Sequence, residues 1–265
     1  MLCQHFEIER DDTSKPFQYC WKERSQGLAL MSLSEQESLM LSLAEQHLKS
    51  LLPASLMKSM EEFFKQAHTN LDADTNAKRE KEWLSKVRVV STTQPLLPPK
   101  IKAGVFEQVS NALYSNFWLR VNYINAAGKS TEAEVMPLGL AQQGPRLYLV
   151  CRFRDYDNER SLAMHRIDLA QATEFTFDRP KDFDLEKYDN DGRFGYGEGK
   201  LISLIFRIGK EAGFHLLETP LSKDQQVKEL KDDYEITATV VDTAQLDWWL
   251  RGIGDAVSKI RKNTM

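Results

Sequence analysis

The feature that most constrains this chain is a strict two-residue alternation that starts after Gly144-Pro145. Leu147, Leu149, Cys151 and Phe153 take one parity, and Arg146, Tyr148, Val150, Arg152 and Arg154 take the other. Successive strand side chains point to opposite faces, so the segment reads as a strand with one face on a core. The second face then offers an aromatic ring for stacking and planar guanidinium forks for phosphate oxygens. Tyrosine and several arginines on one exposed strand can grip a nucleotide or a short single strand. The same face also reads as an outward sheet surface kept soluble by its arginines. Charge sharpens the first reading. Arg146, Arg152, Arg154, Arg160 and Arg166, with His165, are opposed locally only by Asp155, Asp157 and Glu159, in a chain of formal net charge −4. A basic patch on an acidic chain suggests a specific anionic ligand rather than general adhesion to nucleic acid.

The surroundings of this strand predict an α+β chain in several parts. A helix over 101–114 would turn Val105, Val109, Ala112 and Leu113 inward. Strands are expected near 117–124, 133–141, 160–166 and 172–177, punctuated by Ala127-Gly128 and Gly144-Pro145. One helix followed by short strands fits a small, strongly bent barrel like the Sm fold, over 92–181. Pro95, Pro98 and Pro99 stiffen the segment before it and place a boundary there.

Residues 34–91 read as a helical connector. Ser34 and Glu37 have capping-box spacing. Met40, Leu43, Ala44, His47, Leu48 and Leu51 form an apolar stripe at helical spacing. After Pro53 a second helix aligns Leu56, Met60, Phe63, Phe64, Ala67 and Leu71, and two such helices pack on each other or on a second subunit. A charged helix over Asn76–Lys86 is expected to anchor itself through Trp83. Residues 1–33, where Phe6 and Ile8 alternate with Glu7 and Glu9, read as a β-ribbon.

Beyond the barrel, residues 182–199 are polar and hold Gly192, Gly195, Gly197 and Gly199, but no G-x-G-x-x-G opening a helix, and are expected to be a linker. Residues 200–265 are expected to form a small α/β sandwich, with strands over Leu201–Ile208, Gln225–Leu230 and Tyr234–Val241. Its helix runs over Thr243–Arg251 with Thr243 as N-cap. The adjacent Trp248 and Trp249 cannot share one core, so either one lies inside and the other at an interface, or both are simply buried at its two edges.

Several classes are disfavoured. No apolar run reaches the roughly 18 residues of a membrane span, and the start lacks a signal-peptide pattern. Cys3, Cys20 and Cys151 are odd in number and widely spaced, which fits neither a disulfide framework nor a zinc site. Nucleophile elbow, P-loop, H-E-x-x-H and Cys-x-x-Cys motifs are missing. Asp155, Asp157 and Glu159 lack the glycine and later glutamate of a calcium loop and read as a solvated hairpin tip. The expectation is a cytoplasmic binding protein, not an enzyme, with no cofactor and no metal.

The order Tyr123, Pro137-Leu138-Gly139-Leu140, Gly144, Leu147-Tyr148-Leu149 and Ala163-Met164-His165-Arg166-Ile167 resembles the WYL domain of bacterial transcription regulators. The family's triplet is Trp-Tyr-Leu, and Leu147 departs from it at a core-facing position. Lys200 to Ile260 resembles the C-terminal extension that accompanies the domain, best in Leu246-Asp-Trp248-Trp249-Leu250-Arg-Gly252-Ile-Gly254. Leu33 to Leu71, with Leu51-Leu52-Pro53, resembles the upstream connector, and the N-terminal ribbon resembles the wing of a winged helix whose reading helices are not in the sequence. The resemblance implies a homodimeric regulator that meets double-stranded DNA only through that missing domain, and a nucleotide or single-stranded nucleic-acid effector at the barrel. It points to Tyr123, Tyr148, Arg152, Arg160, His165 and Arg166, with Arg146 and Arg154 added by strand parity. Tyr148 would stack on a base, Arg152 and Arg166 would pair with phosphate, and His165 would donate a hydrogen bond. A stand-alone binder of single strands or nucleotides, or a non-binding dimer scaffold, are the alternatives.

Overall fold

The computed structural model describes residues 8–11, 18–21, 33–49, 51–73 and 78–265. Much of the N-terminal ribbon region lies outside these residues. What is described of it is one antiparallel pair, β1 (Ile8–Asp11) and β2 (Gln18–Trp21).

Helix α1 (Glu35–Leu48) begins where the capping spacing places it. Ser34 Oγ accepts from the Glu37 amide at 3.2 Å, and the Glu37 carboxylate accepts from the Ser34 amide at 2.8 Å. Each bond satisfies an amide that the first helical turn leaves without a partner. The buried side differs from the expected stripe. Met40 is 62% exposed, and Leu48 and Leu51 also face outward, while Ser38 and Ser42 are buried. Helix α3 (Glu61–Ala73), which follows the short α2 (Ala54–Ser59), explains this. It closes on the serine side of α1, where Asn70 donates to the Leu33 carbonyl at 3.0 Å and to Ser38 Oγ at 3.3 Å. Phe64, Ala67 and Leu71 of α3 are buried as their spacing predicts. Trp83, on α4 (Lys78–Lys86), does not anchor its helix and is 51% exposed.

Helix α5 (Val105–Ser115) lies against a five-stranded antiparallel sheet. Its strands are β3 (Phe117–Ile124), β4 (Ser130–Gln143), β5 (Arg146–Phe153), β6 (Glu159–Ala163) and β7 (Ile167–Thr176), in the spatial order β6-β5-β4-β3-β7. Val109 and Ala112 from the helix meet Leu119, Val135, Leu149, Cys151 and Met164 in one core. Fully burying each such valine or leucine contributes about 1.5–3 kcal/mol. Among the described residues no ladder joins β6 to β7. The sheet is open, and the closed barrel expected from the strand count is not formed. A 3-10 turn, Met164–Arg166, joins the two edge strands instead, and Met164 plugs the core beneath it.

A second antiparallel sheet has the order β11-β8-β10-β9. It is built from β8 (Leu201–Gly209), β9 (Gln226–Glu229), β10 (Asp233–Val241) and β11 (Val257–Thr264). Two one-turn helices, α7 (Lys210–Gly213) and α8 (His215–Glu218), follow β8, and α9 (Ala244–Gly252) precedes β11. This is the split β-α-β plan, repeated once. Thr243 caps α9, its Oγ1 accepting from the Leu246 amide at 2.9 Å. The tryptophans separate as adjacent helical positions must. Trp249 packs edge-on against Phe206, 6.2 Å between centroids, while Trp248 is 57% exposed and meets Tyr196 at 5.7 Å. Among the described residues no helix is long and apolar enough to cross a membrane.

Residues 182–199 are not a free linker. Asp184 caps a short helix, α6 (Leu185–Asn190), and a 3-10 turn over Arg193–Gly195 follows. Leu185 sits so close to Gly139 that a Cβ there would meet it at 2.9 Å. The segment covers the outer face of β4, β5 and β6.

Candidate functional site

Strand parity places the predicted residues correctly by face and separates them by surroundings. On β5, Leu147, Leu149 and Cys151 enter the core. Burial pushes the Cys151 thiol well above the ordinary thiol range, so it stays protonated and inert. The opposite face is not the open surface expected. Val150 is fully buried, and Tyr148 is half-buried against Phe194, 6.2 Å between ring centroids. Tyr188 of α6 meets the same Phe194 at 5.4 Å, and the Tyr188 and Ser161 hydroxyls share a hydrogen bond of 3.0 Å.

Arg152 departs from its expected role as a phosphate contact. It pairs with Glu159 on β6, with Nε donating to Oε1 at 3.1 Å, and lies 3.5 Å from Asp182. Its side chain is only 16% exposed. The register Arg152↔Glu159 puts the two directly opposite each other on neighbouring strands, where opposite charges stabilise a sheet. Arg154 and Arg160 are also engaged. Arg154 pairs with Glu134 and lies 4.8 Å from the centre of the Trp118 ring. Arg160 stacks over Phe153 and Tyr156 at 4.9 and 4.8 Å. Both sit at the far end of β5 from Arg146, eight residues or roughly 26 Å along a strand for Arg154.

The near end is different. The ladder pairs Tyr148 with Ala163, and the chain then enters the 3-10 turn, so His165 and Arg166 come alongside Arg146. Neither arginine enters an ion pair among the described residues, and both are exposed. His165 Nδ1 is buried with no hydrogen-bond partner among the described residues. Partial burial holds the imidazole below its ordinary pKa, and the Arg166 and Arg146 guanidiniums push it the same way. An orphaned ring nitrogen between two unpaired cations is a place where an anion would relieve both repulsion and an unmet bond. Tyr123 borders this group. It packs on the core of the sheet and pairs with Ile167, one residue past Arg166. No metal-binding group of His, Cys, Asp and Glu occurs among the described residues.

The structure thus brings together Arg146, His165 and Arg166, with Tyr123 beside them. It sets Tyr148 and Arg152 beneath residues 182–199, and Arg154 and Arg160 at the other end of the strand. Sequence reading missed Asp182, Tyr188 and Phe194, whose one visible signal is the aromatics set among glycines in Gly192-Arg-Phe194-Gly195-Tyr196-Gly197.

The model of the WYL domain family matches residues 104–172, which span α5 and most of the five-stranded sheet. No curated protein matches the chain. Among solved structures it is similar to the proteasome accessory factor B/C (PafBC) of Arthrobacter aurescens, at 22% identity and a TM-score of 0.33. That match covers 97% of this chain and 36% of the other, so this chain spans about a third of its length. A CRISPR Cas-related protein is 11% identical with a TM-score of 0.27, over 58% of this chain and 46% of that one. The match to the WYL domain family thus falls on residues 104–172, the helix α5 and the strands of the five-stranded sheet.

Proposed function

We propose that this chain is a ligand-sensing transcription regulator of the WYL type, a binding protein and not an enzyme. Its effector is a nucleotide or a short single-stranded nucleic acid, and its phosphate sits between Arg146 and Arg166 with His165 hydrogen-bonded to it. The observation that carries this reading is the buried His165 Nδ1, without a hydrogen-bond partner among the described residues, flanked by two guanidiniums that have no carboxylate partner among them. Guanidinium forks match phosphate oxygens in geometry as well as charge. Control of double-stranded DNA would run through a winged helix N-terminal to the connector, in a homodimer.

The test is fluorescence anisotropy with short labelled single-stranded DNA and RNA at low and moderate salt, beside double-stranded DNA and an Arg146→Ala/Arg166→Ala variant. Single strands bind with a slope of about −0.7 in log K against log salt for each phosphate neutralised, so the variant, which releases one phosphate, should flatten the slope by about 0.7. Absence of binding to every strand and to free nucleotides sinks the effector reading. Sedimentation equilibrium tests the dimer.

A further inference from the structure

We infer that Phe194 occupies, within the chain itself, the place where an effector base stacks, so that binding requires residues 182–199 to lift from the sheet. The inference rests on the effector reading above and adds its regulation. Arg146 and Tyr148 are on the same face of β5, two residues or roughly 7 Å apart. A phosphate held at Arg146 therefore brings its attached base to the Tyr148 ring. That ring is already taken. Phe194 lies on it in a tilted aromatic contact and is itself backed edge-on by Tyr188. A phenyl ring with no charge is the side chain that would substitute for a base there without engaging the phosphate site.

The plug is held from both sides. Toward the WYL domain, Gln143 Nε2 of β4 donates to the Phe194 carbonyl at 3.3 Å. Toward the C-terminal sheet, the glycines around it are packed on the start of α9. A Cβ on Gly192 would meet Thr243 Cγ2 at 2.5 Å, and one on Gly197 would meet the same atom at 2.6 Å. Phe194 is thus hinged to the N-terminus of α9 while its ring rests on β5. Expelling the ring pulls on the C-terminal sheet, which gives effector binding at the WYL domain a mechanical route to the extension. The equilibrium between covered and open forms lowers the apparent affinity by the open fraction.

The test uses the full chain, a short fluorescein-labelled oligothymidylate and the variant Phe194→Ala. Removing the plug should tighten binding roughly three- to tenfold, the range expected from the worth of aromatic contacts. Unchanged or weaker binding by the variant, with the unaltered protein still binding, overturns the plug and leaves the effector reading intact. No binding by either protein overturns the plug, and the effector reading falls with it when RNA strands and free nucleotides also fail to bind. Amide hydrogen exchange of the unaltered protein guards against a misfolded variant. Amides in Leu185–Gly197 should exchange faster when oligothymidylate is added, and slower or unchanged exchange overturns the plug on its own.

Discussion

The two ends of β5 carry the same residue type and differ in everything that decides its use. At one end Arg152 is covered, faces Glu159 across the ladder and lies near Asp182. At the other Arg146 is exposed, has no ion pair among the described residues, and shares its surroundings with His165 and Arg166. Parity gives both arginines the same face. The difference comes from what chain segments far away place over that face. A neutralised guanidinium next to a carboxylate holds a sheet together, whereas unpaired ones beside an orphaned imidazole nitrogen are poised for an anion.

The comparison breaks first at the open end. Arg146→Ala/Arg166→Ala should cost at least about 100-fold in affinity for a short oligonucleotide, since each charge-assisted bond is worth about 1.5–3 kcal/mol. Its chemical denaturation midpoint should stay close to that of the unaltered protein, because both side chains are exposed. The covered end breaks through its hinge. Gly192 has φ +70°, and its Cβ would overlap Thr243, so Gly192→Ala should lose about 2 kcal/mol of stability in urea unfolding.

Arg152→Ala is the direct counterpart of the first variant. It leaves Glu159 half-buried without its partner and should lose about 1.5 kcal/mol of stability, while oligonucleotide affinity changes less than twofold. A large loss of affinity there would erase the distinction between the two ends.

The smallest effect is a pH dependence. The His165 pKa is lower in the folded chain than its usual value near 6.5. The unfolded chain therefore binds more protons, and stability present above that value declines as pH falls through it. A bound phosphodiester reverses the balance by neutralising Arg146 and Arg166 and favouring the imidazolium. Oligonucleotide affinity should rise by up to about tenfold between pH 7.5 and 5.5. In His165→Gln that rise should vanish.

Local rules made much of the architecture legible. The alternation in β5, the Ser34–Glu37 box and the Thr243 cap each depend on residues a few positions apart, and each appears where its spacing places it. The WYL resemblance was legible too, because its residues lie in order along one stretch. Other elements carried no local signal. β11 alternates no apolar residues and is mostly exposed, so only its ladder with β8 reveals it. The short α6 is too polar to show a stripe. On α1 the apolar stripe was real in the sequence, yet α3 packs on the serine side and leaves Met40 outside.

The candidate site divides in the same way. Which residues point outward from β5 follows from the strand's two-residue repeat, a property of the backbone alone. Which of them stay available is a matter of long-range packing. Glu159 arrives through the β5–β6 ladder, Phe194 and Asp182 arrive with residues 182–199, and the 3-10 turn carries His165 to Arg146. Periodicity assigns a side chain to a face. Only the segments that close over that face decide whether its charge is cancelled or kept, because Coulomb and stacking energies depend on distances that sequence separation does not encode.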